Sequence, residues 1–143
     1  MTTKRDSLLL TIDLVPAASW SLNLHKILPK NKWRKIREEI ISKSGGLCII
    51  CGGAPPLECH EVWDYDDTDH VQTLTGFLAL CKKCHAIKHI GFKVQAGAEK
   101  EELIRHFMRV NKCDRSVFNT HYKKAMDEFD RRSKFEWVIN FSS

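Results

Sequence analysis

Two hydrophobic periods divide the chain. Residues 8–15 (LLLTIDLV) read as a strand, and 16–31, with Pro16, Asn23, Pro29 and Asn31, as an irregular connector. Asn31 can cap a helix running to about Ser44, with Trp33, Ile36, Ile40 and Ile41 on one face and Gly45-Gly46 as its stop. Residues 57–63 (LECHEVW) read as a short strand, 64–75 as an acidic loop, and 76–81 (GFLALC) as a second strand. Residues 82–90 read as a helix ended by Gly91. A further helix spans about 98–110, with Leu103, Ile104, Phe107 and Met108 on one side. Asp114 caps another, to about Arg132, with a stripe of Phe118, Tyr122, Ala125, Met126 and Phe129. The end alternates, Phe135, Trp137, Ile139 and Phe141 on one face, and reads as a strand pairing with 8–15. The expectation is an α+β fold, one domain over residues 1–143.

Composition narrows the class. Apolar residues make up 43% and charged residues 29% of 143, the balance of a globular domain with a modest core. No apolar run approaches the length of a membrane span, so no membrane partner is expected. Asp13 and Pro16 interrupt what would be a signal peptide, so a cytoplasmic address is expected, where six cysteines serve as ligands rather than disulfides. Net charge is +5, unevenly placed: residues 25–43 carry seven Lys/Arg against two Glu, and 81–100 five Lys against one Glu. Between them, 58–70 carry six Asp/Glu and no Lys or Arg. A basic frame around an acidic insert suits a phosphodiester cleft with a metal; solvated helix faces are the plainer alternative.

The strongest chemical signal is Cys48-x-x-Cys51 with Cys81-x-x-Cys84, 29 residues between the pairs. Four soft thiolates suit a tetrahedral structural Zn²⁺, whose binding energy would support a small core. A second group gathers around it. Cys59 and His60 lie on the first strand between Glu58 and Glu61, and His85 and His89 lie four apart on the helix. Residues i and i+4 share a helix face, so both imidazoles can hold one ion. Cys84 and His85 are about 100° apart around the helix, which makes it a wall between two metal positions.

The segments CIICGG, ECHEVW and GFLALCKKCHAIKH resemble the HNH endonucleases of the ββα-metal fold. The match covers 47–91, giving an HNH core at about 45–92, an N-terminal extension 1–44 and a C-terminal extension 93–143. The resemblance implies a metal-dependent endonuclease hydrolysing DNA phosphodiester bonds. His60 would be the general base and Gln72 the amide that orients it. His85 and His89, with Cys59 before the base, would bind a catalytic divalent ion: Mg²⁺, Mn²⁺, Ni²⁺ or Zn²⁺. A thiolate at Cys59 favours zinc, and Glu58 or Glu61 could replace it. Lys82, Lys83, Lys88 and Lys93 would hold DNA near the site, with Lys32, Arg34, Lys35 and Arg37 as a second wall. Residues 98–143 would complete the core, or form a DNA clamp or the arm of a homodimer. Two rivals remain. A zinc deaminase would use Cys59, Glu61, Cys81 and Cys84, but Leu80 stands where its proline belongs. A non-catalytic zinc module for nucleic acid or protein explains the cysteines but not the three histidines.

Overall fold

A computed structural model describes residues 8–19, 28–91 and 98–141. Among the described residues the fold is α+β, with four helices and a three-stranded sheet. A 3-10 turn, Ala17–Ser19, and helix α1, Lys30–Lys43, come first among the described elements. Strands β1, Leu57–Asp66, and β2, Val71–Cys81, form an antiparallel hairpin that runs straight into α2, Lys82–Lys88. Helices α3, Ala98–Asn111, and α4, Arg115–Arg132, follow, and β3, Val138–Phe141, closes the chain. Among the described residues no helix is long and apolar enough to cross a membrane.

The helices stand where their apolar stripes put them. Asp114 caps α4 with its carboxylate accepting from Val117 N at 3.2 Å. Leu103, Ile104 and Phe107 of α3 are buried, and Phe107 meets Phe118 edge-on at 5.2 Å. Residues 98–141 therefore complete the core. Asn31 does not cap α1. The helix starts at Lys30, after Pro29, whose ring suits the entry and whose carbonyl accepts from Trp33 N at 3.0 Å.

Three expectations about strands need correction. The acidic stretch 64–75 is not a loop but the outer half of the hairpin, with Asp66 opposite Val71. Its acids, Asp64 and Asp66, point to water while Trp63 and Tyr65 are partly covered. Asp66 then accepts from the backbone of Thr68 and Asp69, which makes the turn. A register shift after Val62 re-aims the strand there.

Residues 8–15 join no sheet. Their alternation is real, since Leu10, Ile12 and Leu14 are buried, but their backbone is held outside any sheet, by Lys88 O accepting from Asp13 N at 3.1 Å and by side chains. Asn111 accepts from Leu9 N and Leu10 N and donates to Leu10 O, and His121 Nε2 accepts from Ile12 N. The last strand pairs instead with β2, in parallel, Val71 opposite Val138 through Leu74 opposite Phe141. The end of α4 explains this. Arg132 grips Asp67 with two bonds of 2.9 and 3.0 Å, and His70 O accepts from Val138 N, so the chain is delivered to the edge of β2.

The hairpin has two covered faces. Phe77 packs against Trp33 of α1 at 5.8 Å. His60 and Glu58, on the alternate positions, face α2.

Candidate metal centres

The first pair of cysteines sits on a tight knuckle after α1. Gly52 N donates to Cys48 O at 2.9 Å with Gly52 at φ 76°, a backbone that favours glycine. A Cβ on Gly53 would lie 3.2 Å from Cys51 Sγ, a tight approach that would press on that thiol. Ile49 N donates to Ala79 O at 3.0 Å, which pins the knuckle to β2. The second pair straddles the junction of β2 and α2. Cys81 ends the strand and caps the helix, its Sγ accepting from Cys84 N at 3.5 Å.

The four Sγ atoms lie within 4.8 Å of one another, and Cys51 and Cys81 approach to 3.6 Å. Four thiolates tetrahedral about zinc would be about 3.7 Å apart. This cluster could hold a structural metal such as zinc. The electrostatics agree. Burial raises the Cys48 thiol, yet the backbone N–H groups around it bring it down to about 7. Cys84 is fully buried, and burial together with the neighbouring thiols pushes it far up. Four such groups ionise together only around a cation.

The second group is formed by His60 of β1, His85 of α2 and His89 at the helix end. One nitrogen from each lies within 4.8 Å of the others, so these residues could also hold an ion. Their ring centroids form a near-equilateral triangle, 5.2, 5.4 and 5.1 Å on a side. Three imidazoles sharing one tetrahedral ion, at metal–nitrogen distances near 2.0–2.1 Å, would put centroids about 5 Å apart. Glu58 Oε1 accepts a 2.6 Å bond from His85 Nδ1, leaving Nε2 with the lone pair, the usual outer partner of a metal-binding histidine. His60 is 5% exposed, and burial, with the charges of His89, His85 and Lys88, pushes its pKa down to about 2. It stays neutral, as a ligand must, and is a poor proton acceptor.

Other expected site residues lie elsewhere. Cys59 points to the opposite face of β1 from His60. Burial raises its thiol to about 11, and its charged neighbours are Arg37 and Glu61. It does not join the histidines. Gln72 is six residues along β2 from Leu78, the partner of His60, about 20 Å away. Its Oε1 accepts from Ser19 Oγ at 2.7 Å, so it orients nothing at His60. Lys88 is 3% exposed and pairs with Asp13 at 2.7 Å, which removes it from any phosphate surface. Lys32, Arg34, Lys35 and Arg37 sit on α1, across the hairpin from the histidines, and Arg37 donates to Leu57 O. They form no second wall of that site. Lys82 is exposed, Lys83 pairs with Glu102 at 3.4 Å, and Lys93 lies outside the described residues.

The sequence reading missed His106. It stands on the buried stripe of α3 with Leu103 and Phe107, and its Nε2 lies 3.3 Å from Cys84 Sγ. A polar residue on an apolar stripe was the available signal, since a buried polar group needs a partner. Comparison of the chain with family models, curated proteins and solved structures finds no match.

Proposed function

We propose that the protein is a metal-dependent phosphodiester hydrolase of HNH type that cuts DNA at the histidine triangle. The observation that carries this reading is the convergence of His60, His85 and His89, with Glu58 behind His85. A nucleic-acid-binding zinc module has no need of such a triangle. The strand–turn–strand–helix order, with one histidine on the first strand and two at the helix, agrees with the resemblance in the sequence.

The three imidazoles would hold the ion, and His60 would act as a ligand rather than as the free base that the resemblance implies. When bound, a divalent ion supplies Lewis acidity toward a phosphoryl oxygen and offsets charge on the leaving oxygen. Glu58 keeps the proton on His85 Nδ1 and so keeps Nε2 open. His60 brings a neutral donor and excludes water from the inner side of the site. His85, with a fifth of its side chain exposed, marks the open side. Lys82, three residues earlier on the same helix face, is exposed there and can take a phosphate.

The test is plasmid cleavage with Mg²⁺, Mn²⁺, Ni²⁺ or Zn²⁺, with metal binding measured in parallel. Wild type should nick or linearise DNA. His60→Ala, His85→Ala and His89→Ala should each lose both cleavage and metal at the triangle while staying folded. His60→Ala that binds metal normally but does not cut would return His60 to the role of base. No cleavage with any ion, from protein that still binds DNA in a salt-dependent way, would overturn the enzyme in favour of the binding module.

A further inference from the structure

The four-cysteine cluster has a hydrogen-bonded neighbour outside its ligands. His106 Nε2 lies 3.3 Å from Cys84 Sγ, in a buried contact, and Arg109 lies 3.1 Å from His106 Nδ1. The direction of both bonds is decided by chemistry. A guanidinium has no acceptor, so Arg109 donates and Nδ1 accepts. The proton of the ring is then on Nε2, and Nε2–H donates to the sulfur.

Cys84 is the ligand that most needs this donor. Cys51 and Cys81 are partly exposed and can be solvated, but Cys84 has no exposed surface. Four thiolates around a dication leave a net charge of about −2. At Cys84 that charge is relieved only by groups of the protein. We propose that His106 and Arg109 form an outer shell to the cysteine metal site: Arg109 fixes the tautomer, and His106 donates to Cys84 Sγ and tunes the metal's thiolate. The inference rests on the cysteines holding a metal and not on nuclease activity. These are positioning residues; neither is a ligand.

The experiment uses the full chain loaded with Co²⁺, whose thiolate charge-transfer band reports only the cysteine site, together with zinc competition against a chromophoric chelator. His106→Phe keeps a ring but removes the donor. His106→Gln keeps a donor near Nε2. Arg109→Met alters an exposed side chain and leaves the core intact. His106→Phe should weaken the metal about 10–100-fold, the usual effect of losing an outer-shell partner. It should also move the band to lower energy, because an unbonded thiolate gives up its electron more easily. Arg109→Met should shift both readings the same way by less, and His106→Gln should recover most of the loss. Parent affinity and an unmoved band in His106→Phe and Arg109→Met would overturn the proposal. So would a Gln variant no better than Phe, which would leave only a packing role. If the parent chain gives no thiolate band, the cysteine metal site fails and its outer shell with it.

Discussion

His60 carries an acid-side cost for the fold. Its pKa is pushed down to about 2, chiefly by burial, against about 6.5 in the unfolded chain. As pH falls, the unfolded state binds the proton first. Stability is therefore complete above pH 6.5 and drains away between 6.5 and 2, at about 1.4 kcal/mol per pH unit. By pH 5 His60 alone should cost about 2 kcal/mol. His106 and His121 are shifted in the same direction by burial and add to the slope. Urea midpoints from pH 7.5 to 5 should fall steeply in the parent and less in His60→Gln; parallel curves would contradict the burial argument. At this scale the cysteines were legible because their spacing is itself the chemistry. Cys59 was expected beside the histidines, but the strand period turns it to the other face, and Gln72 is remote because the hairpin runs on past 57–63 and 76–81 to Asp66 and Val71.

Elements of equal period part company only in three dimensions. Residues 8–15 and 138–141 both alternate, yet only the second pairs with a strand. The first is held by the Asn111 side chain, which makes three bonds to Leu9 and Leu10. Asn111→Ala leaves the partly buried N–H and C=O of Leu10 without this partner, Leu9 N being exposed to water, and should cost about 1–3 kcal/mol. The check is chemical denaturation, together with faster proteolysis near residue 10; an unchanged midpoint would mean that burial of Leu10, Ile12 and Leu14 suffices alone. Helices α3 and α4 were legible almost to the residue because their stripes and the Asp114 cap are local signals. The hairpin tip was not, since its acids mimic a loop.

Across the molecule, α2 joins the two centres. It has seven residues, too few to be helical alone, and carries Cys84 toward the cysteines and His85 toward the histidines. Its position is set by the cysteine site at its first turn and by α3 behind it. Loss of metal there should disorganise the histidine triangle, while the reverse should not hold. Cys84→Ser should lose metal at both centres and melt at lower temperature, and His89→Ala should keep the thiolate–cobalt band intact. Cobalt titration of the two variants, followed by thermal melts, reads this directly; a Cys84→Ser protein that still loads the triangle would show the centres to be independent.

The sequence by itself pointed to the four-cysteine cluster and to His60, His85 and His89, to the order of strands and helices from residue 30 to 132, and to the apolar stripes of the helices. Each is carried by spacing along a few residues, where covalent geometry allows one arrangement. Tertiary structure alone decided which alternating segment enters the sheet and which basic residues stand near the histidines. It also decided that Lys88 is buried against Asp13 and that His106 reaches Cys84. These two contacts join residues 75 and 22 positions apart. At such separations no local period constrains the partner; the packing of α1 and α2 on the hairpin, and of α3 on α2, does.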